Sequence, residues 1–315
     1  MSRGVRLFDA HCHLHDPRIA HVAPQLINTA TQSGVLRFAV NGVCEGDWGL
    51  VKQMGEQYPS VIPCFGLHPW YVTERTPDWL KVMKEFFSST PSAAVGEIGL
   101  DKGSHGKTID FQLQVQCFRQ QLELAKELDR PVSIHCIRAY GDLLEIMQSI
   151  GPFPAGAILH SYLGSAEMAA GLAKLGAYFS FSGYLMSMKQ QKAKKMLKAV
   201  PTERILLESD APDGLPTLNT SSLVWVPGDP SVPQEGGSTL PKETLNHPAN
   251  IRTVLNYVAS LIEMPEEEVA EIGYKNAMRV FSYPASKFVY KTDVLSYDNQ
   301  ICAMLICAPR VLCKP

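Results

Sequence analysis

Histidine and carboxylate side chains stand where several apolar segments of the sequence end. His11 and His13 close the first such segment, two residues apart. In a β-strand, alternate residues point to the same side, so these two imidazoles can bind one cation together. A His-x-His pair is a weak signal by itself, because a histidine at a strand end is more often a hydrogen-bonded core residue. Four comparable groups lie further along the chain: Glu97, His135, His160 and Asp210.

Taken together, the six groups favour one metal-dependent site. A carboxylate buried at a strand end is costly unless it is paired or bound to a cation. Four histidines and two carboxylates at one end of a sheet are hard to explain as independent features of a core. Paired cations can activate water and stabilise the attacking and leaving oxygens of a resistant phosphodiester. A nitrogen-rich donor set with two carboxylates suits zinc, manganese or a similar metal.

Eight short apolar segments alternate with helix-length segments along most of the chain. Such alternation predicts βαβ units and a parallel sheet. Eight strands favour closure into a TIM-like (β/α)8 barrel with its metal site at the carboxyl ends of the strands. A doubly wound open sheet is the alternative if one strand assignment fails. The predicted strands are Leu7–His11, Arg37–Asn41, Val61–Gly66, Ala94–Gly96, Val132–Cys136, Ala157–His160, Tyr178–Phe181 and Ile205–Glu208.

Beyond the strands, the sequence predicts helices and two irregular regions. Residues 214–248 are rich in proline, glycine, serine and threonine, which predicts a long loop above the site. We expect a hydrolase barrel over residues 1–284 and a poorly ordered tail over residues 285–315, where the pattern is lost. Apolar residues recur with helical spacing in the clearest helical segments, which are Phe111–Leu128, Ile251–Ile262 and Glu266–Phe281.

Composition restricts the class of protein. The chain has 315 residues, of which 45% are hydrophobic and 19% charged, as in a globular enzyme with a large core. Its formal net charge of −2 gives no overall electrostatic attraction for nucleic acid, so such a substrate would depend on a local patch or on metal. No long apolar run or signal-peptide pattern is present. We therefore expect a cytoplasmic location, with the nucleus as a second compartment, and no membrane partner.

Six ordered motifs resemble the TatD family of metal-dependent deoxyribonucleases, within the amidohydrolase-like barrels. The resemblance covers about residues 6–283, and the motifs together are far more specific than any one of them. It implies a metal-dependent hydrolase of phosphodiester bonds, expected to be an exonuclease acting on DNA. The motifs are DAHCH at 9–13, GLHP at 66–69, GEIGLD at 96–101, IHC at 134–136, HSYLGS at 160–165 and ESDAP at 208–212.

The resemblance also implies a cofactor of two divalent metal ions, which could be Mg, Mn or Zn. His11 and His13 would bind the first ion, and His135 and His160 would bind the second. Glu97 would bridge the two ions.

Further roles are implied for residues around these ligands. Asp210 would be a ligand and would orient or deprotonate the attacking water, and His68 would contact the substrate phosphate. Asp9, Asp101 and Glu208 would hold the imidazole tautomers and the loop geometry.

One short segment departs from the family pattern. Many relatives carry Arg-Asn-Glu-Pro before the last helices, whereas this chain has Leu-Asn-His-Pro at 245–248. The change leaves the six ligands intact but removes an arginine that could hold the substrate backbone. Lys242 and His247 are the candidate substrate contacts in its place.

Two other functions fit the same residues. The first is hydrolysis of another ester or amide at the same metal centre, such as an aminoacyl ester on tRNA or a small cyclic amide. The second is a catalytically silent barrel that binds metal or nucleic acid. The intact ligand set argues against the second alternative, while the first can be separated only by substrate tests.

Overall fold

The computed structural model describes residues 4–232, 241 and 243–288, and it contains an eight-stranded parallel sheet. The strands are short, and most of their residues are buried, as expected for a sheet covered on both faces. The strands are β1 (Leu7–Cys12), β2 (Val35–Asn41), β3 (Val61–Phe65), β4 (Ala94–Asp101), β5 (Val132–Ile137), β6 (Ala157–Leu159), β7 (Ala177–Phe181) and β8 (Ile205–Leu207).

Helices connect successive strands and cover the outside of the sheet. Two further helices follow the last strand, and Pro265 is the N-cap residue of the second. In the described part of the chain, no helix is both long and apolar enough to cross a membrane. The helices are α1 (Ala23–Gln32), α2 (Trp48–Gln57), α3 (Trp79–Ser89), α4 (Phe111–Glu127), α5 (Tyr140–Ile150), α6 (Ala166–Lys174), α7 (Gln190–Ala199), α8 (Ile251–Ile262) and α9 (Glu266–Val280).

The strands follow one another in the sheet in the order of the sequence. This order confirms the predicted TIM-like barrel and excludes the doubly wound alternative, in which the strand order reverses. Just beyond the end of β8, the chain meets β1. There the Asp210 N–H donates to the His11 carbonyl at 3.0 Å, and the His13 N–H donates to the Ala211 carbonyl at 2.7 Å. Closure of the barrel therefore places Asp210 beside the two histidines of β1.

Strand β4 is longer than the sequence predicts. It continues past Gly96 to Asp101, so Glu97 lies within the strand rather than after it. The pairing of β4 with β5 shifts between Val95 and Ile98, and Gly99 has a φ of +152°, where a Cβ would overlap the His135 carbonyl. Glycine ordinarily weakens a strand, but here it permits a close approach of two backbones. The other predicted strand ends agree within two residues.

Apolar side chains fill the amino-terminal half of the barrel and close its lower end. Phe8 stacks on Phe281 at the end of α9, with ring centroids 5.0 Å apart, and Phe288 meets Phe8 edge-on at 6.4 Å. Phe288 is buried, and the Lys287 ammonium donates to backbone carbonyls of the α2–β3 region. The packed chain therefore extends four residues past the predicted boundary at 284. Residues 289–315 of the predicted tail lie outside the described residues.

The long loop after β8 returns to the barrel through its two described ends. Trp225 pairs with Asn246 in a single antiparallel bridge, and the Asn250 side chain bonds both backbone groups of Val224. Leu223 and Val226 are buried. Residues 233–240 and Lys242 lie outside the described residues, so the predicted substrate contact at Lys242 stays a prediction.

Candidate metal centre

Six predicted ligands come together at the carboxyl ends of the strands. Five of them are buried as whole residues, and the side chain of the sixth, His13, is only 14% exposed. Their donor atoms form overlapping groups in which every ligand atom lies within 4.8 Å of the others, a spacing compatible with divalent metal binding. The groups draw on His11, His13, His68, Glu97, His135, His160 and Asp210.

Glu97 lies at the centre, and its two carboxylate oxygens face different histidines. Oε2 lies 3.3 Å from His11 Nε2 and 3.4 Å from His13 Nε2. Oε1 lies 2.9 Å from His160 Nε2 and 3.1 Å from His135 Nδ1. The carboxylate therefore divides the donors into two sets, which we call the β1 set (His11, His13) and the β5–β6 set (His135, His160).

Asp210 belongs to the β1 set by position. Its Oδ1 lies 3.8 Å from His11 Nε2 and 3.6 Å from His13 Nε2. The residue has a φ of +54°, and the preceding Ser209 is clamped by Asp9, whose oxygens accept from the Ser209 N–H at 2.8 Å and its hydroxyl at 2.5 Å. Asp9 thus holds the loop that presents Asp210.

In the β1 set, the outer ring nitrogens find oxygen partners. His13 Nδ1 lies 2.8 Å from the Asn41 carbonyl, which can only accept, so in the neutral ring Nδ1 carries the proton and Nε2 has the lone pair. His11 Nδ1 lies 2.8 Å from the Ser133 hydroxyl. With a proton on His11 Nδ1, both Nε2 lone pairs point towards Glu97.

In the β5–β6 set, the oxygen atoms beside the outer ring nitrogens belong to carboxylates. Asp101 Oδ2 lies 3.2 Å from His135 Nε2. Glu208 Oε1 lies 3.4 Å from His160 Nδ1, an ion-pair contact without hydrogen-bond geometry. Carboxylate partners of this kind orient ligating histidines and raise their basicity. The inner nitrogens, His135 Nδ1 and His160 Nε2, then face each other at 3.3 Å.

His68 differs from the predicted ligands because its protonated ring nitrogen faces Glu97. Its Nδ1 accepts from the Trp70 N–H at 3.2 Å, so in the neutral ring the proton is on Nε2, 3.4 Å from Glu97 Oε1. Burial lowers its pKa to about 4, which keeps the ring neutral. An Nε2–H group is a hydrogen-bond donor and cannot ligate a metal, which matches the predicted phosphate contact better than a ligand role.

Without metal, burial and the neighbouring charges both shift the pKa values of the clustered side chains. Burial opposes the charge on Glu97, yet the surrounding imidazoles hold its pKa well below the usual range. Burial likewise opposes protonation of His13, but Glu97 and Asp210 raise its pKa to about 9. For His11, burial and the neighbouring His160 lower the pKa to about 4. Burial raises the pKa of Asp210 to about 7.

These features fit a divalent cation. Two pairs of ring nitrogens face each other at 3.2 and 3.3 Å, and the outer partners of the rings direct their lone pairs inward. Without a cation, such a pair avoids repulsion only by binding a proton. Imidazole nitrogen and carboxylate oxygen are both common ligands of divalent transition metals. The donor set therefore suits divalent metal.

Several supporting residues carry no motif of their own. Gln114 and Gln121 reach inward from α4: Gln114 Oε1 accepts from the Asp101 N–H, and Gln121 bonds both backbone groups of Leu67, next to His68. Asn246 donates to the Ser209 carbonyl at 2.8 Å. Ser133 could have been found from its place two residues before His135, on the same side of β5. The others depend on contacts between distant segments.

His247 is buried beside the turn that leads into α8. It is 1% exposed, and its Nδ1 accepts from the Ala249 N–H at 2.9 Å. Its predicted role as a substrate contact stays a prediction. Leu245, which replaces the family's arginine, is partly buried against the core.

Comparison with known proteins agrees with this fold and motif set. The family model described as TatD related DNase matches residues 8–282. An uncharacterized metal-dependent hydrolase of Bacillus subtilis, YabD, is 30% identical over 275 residues, covering 87% of this chain and 98% of that protein. The human protein named Deoxyribonuclease TATDN3 is 26% identical, over 89% of this chain and 96% of its own.

Among solved structures, the TatD homolog YJJV from Escherichia coli has the same fold. Its TM-score is 0.74 at 24% identity, covering 90% of this chain and 100% of that one. With the match of the family model over most of the barrel, the chain belongs to the TatD-related DNase family of metal-dependent hydrolases.

Proposed function

We propose that this protein hydrolyses phosphodiester bonds in DNA with two divalent metal ions. The β1 set and Asp210 hold the first ion, the β5–β6 set holds the second, and Glu97 lies between them. The observation that carries the proposal is the division of the Glu97 oxygens between the two sets, at 3.3 Å from His11 and 2.9 Å from His160. DNA is proposed as the substrate because the family model and the human relative are both named for deoxyribonuclease activity.

Paired metal ions supply a low-pKa water and electrostatic stabilisation of the oxygens that attack and leave. The chain's own residues do the rest. Asp210 accepts the proton of the attacking water at its carboxylate. His68 donates its Nε2–H to a non-bridging phosphate oxygen. Asp101 and Glu208 hold His135 and His160 in the orientation that binding requires.

The nature of the metal follows from the donors. Four imidazoles with two carboxylates favour Zn or Mn over Mg, which prefers oxygen ligands. We propose Zn or Mn as the ions that bind most tightly, with Mg as a weaker substitute.

The test is metal-dependent release of nucleotides from end-labelled single- and double-stranded DNA by purified protein. Exhaustive chelation should abolish release, and Zn, Mn or Mg should restore it to different extents. Elemental analysis of the reloaded protein should give two ions per chain. Full activity in metal-free protein, or hydrolysis of an aminoacyl ester or cyclic amide with none of DNA, would overturn the proposal.

Two variants sharpen this experiment. Glu97→Gln removes the charge shared by the two sets, so metal content and nuclease activity should both fall. Glu127→Gln is the matched control, because Glu127 is an exposed residue of α4 whose carboxylate pairs with Lys84. It should keep the parent's metal content and activity.

A further inference from the structure

Exposed apolar side chains lie on several segments at the carboxyl ends of the strands. In the described part of the chain, five large hydrophobic residues are exposed, and four of them end a strand or lie in the segment that follows one. Trp70 follows β3, Ile137 ends β5, Tyr184 follows β7 and Leu218 follows β8. Only Leu50, on α2, lies elsewhere. Exposed apolar groups beside a polar site are a mark of ligand binding.

Trp70 stands out among them because its ring is both exposed and fixed. The indole is 36% exposed, and its Nε1–H donates to Asp101 Oδ2 at 2.6 Å. That oxygen also contacts His135 Nε2. The indole ring centroid lies 4.9 Å from that of His68 and 6.1 Å from that of His135. Trp70 therefore presents an aromatic surface next to the rings of His68 and His135, at the candidate metal centre.

A second exposed ring lies next to the indole. The His105 ring centroid is 4.6 Å from that of Trp70, and the two planes are tilted by 47°, so the rings do not form a closed stack. Ile137 lies nearby, because it is the register partner of Asp101 across β4 and β5. The next residue, Arg138, is exposed and makes no ion pair with any residue the structure describes.

We propose that Trp70 and His105 form a stacking subsite for an unpaired nucleobase next to the scissile phosphate. The inference rests on the proposed nuclease function and specifies its substrate as a strand whose terminal base is unstacked. Arg138, at the edge of the same surface, is placed to contact a backbone phosphate.

The chemistry favours a base over other occupants. Every nucleobase has a π face, so stacking on an aromatic ring tolerates any sequence. The hydrogen bond to Asp101 holds the indole in place before substrate arrives, so little further ordering is needed on binding. A base inside a duplex is already stacked on its neighbours, which predicts a preference for frayed or single-stranded ends.

The test compares two single-stranded oligonucleotides that differ at one nucleotide. One carries a base at the nucleotide flanking the cleaved bond, and the other carries tetrahydrofuran there, which keeps the backbone but lacks the base. The parent should cleave the first with a kcat/KM about tenfold higher, the size expected for one stacked base. Trp70→Ala should bring the ratio close to one by lowering cleavage of the first substrate.

Two further variants separate stacking from support of the metal ligand. Trp70→Phe keeps an aromatic face but lacks the N–H, so it should retain the preference for the base even if kcat falls through the lost Asp101 contact. Leu50→Ala is the control, because Leu50 is an exposed apolar residue of α2, and it should keep the parent's preference. An unchanged base preference in Trp70→Ala, or an equal loss in Leu50→Ala, would overturn the subsite.

Tryptophan fluorescence tests binding without catalysis. The single-stranded oligonucleotide should quench the emission of metal-loaded parent protein, and Trp70→Phe should lose most of that quenching. Quenching without cleavage would support the subsite and contradict the nuclease proposal. Cleavage with neither quenching nor base preference would contradict the subsite alone, and loss of all three would contradict both.

Discussion

At the scale of single residues, Asp210 is a side chain whose proposed role in activity comes with a cost in the stability of the metal-free protein. Its carboxylate is buried among other acids and imidazoles, and it is presented by a backbone in the left-handed region. Burial raises its pKa to about 7. Between its ordinary pKa and this value, the folded state binds a proton that the unfolded chain does not, so stability without metal falls as pH rises through that range.

The first prediction follows from this conflict. Asp210→Asn keeps the shape and hydrogen bonding of the side chain but cannot serve as anion or base. We expect the nuclease rate to fall by ~100-fold or more, as when general acid–base groups are lost. Without metal at pH 8, the variant should melt at or above the parent's temperature, because it no longer buries a carboxylate charge.

The control for that measurement is Asp213→Asn, at an exposed residue that pairs with Arg18. It should leave the rate within a few-fold of the parent's. Near-normal turnover in Asp210→Asn would assign that residue a structural role.

A second prediction concerns protons released by metal binding. The contacts of His13 with Glu97 outweigh burial and raise its pKa to about 9, and Glu97 and Glu208 raise that of His160 well above its usual value. At pH 7 both rings are protonated in metal-free protein, and a ligand must give up its proton. Loading with zinc should release more than about one proton per chain, and the affinity should rise with pH up to about 9.

Calorimetric titration in two buffers of different ionisation enthalpy measures this release. The observed binding enthalpy should differ between the buffers in proportion to the protons transferred. Equal enthalpies in both buffers would show that the ligands are already deprotonated in the metal-free protein.

At the scale of elements, strands β3 and β4 approach closely where they carry the site. A Cβ on Gly66, one residue beyond β3, would overlap the backbone of Glu97 in β4. Gln121 of α4 bonds the next residue, Leu67, from the other side. The position of Glu97 thus depends on the absence of a side chain at Gly66.

The third prediction tests this approach. Gly66→Ala should destabilise the protein by about 1–3 kcal/mol, the usual cost of forcing extra volume into a packed region, and should lower metal affinity by displacing Glu97. Gly49→Ala is the matched control, because Gly49 lies in α2 with open space around its Cα. It should stabilise the protein by up to about 1 kcal/mol through helix propensity. Urea unfolding and metal titration of both variants measure the two effects, and equal stability of the two would contradict the argument.

At the scale of the whole molecule, the lower end of the barrel is closed by the segment that follows α9. Phe288 is 7% exposed against Phe8, and the guanidinium of Arg37 lies 4.5 Å from the centroid of its ring. Lys287 donates to the Val61 carbonyl at 2.9 Å. These contacts belong to residues that the sequence pattern assigned to the tail.

The fourth prediction compares two truncations. A chain that ends at Phe288 should be more stable than one that ends at Pro284 by about 1.5–3 kcal/mol, the value for burying one large apolar side chain. Both should keep metal-dependent activity, because the segment lies at the opposite end of the barrel from the metal centre. Thermal unfolding of the two proteins measures the difference, and identical midpoints would show that Phe288 contributes nothing.

The sequence by itself determined the barrel and the types of residue at its mouth. Alternation of strands and helices is a local pattern, and the six predicted ligands follow or lie within strands, so parallel pairing alone brings them to one edge. The family follows from the same motifs. Local patterns also located α8 to the residue, and α4 and α9 to within one residue.

Tertiary structure decided how those residues work together. The position of Glu97 inside β4, the division of its oxygens and the tautomer of His13 all depend on backbone contacts between strands distant in sequence. The burial of His247 and the exposure of Trp70 depend on which loop packs over which strand end. A sequence pattern reports the direction of a side chain within its own element, whereas these properties are set by the neighbours that barrel closure supplies.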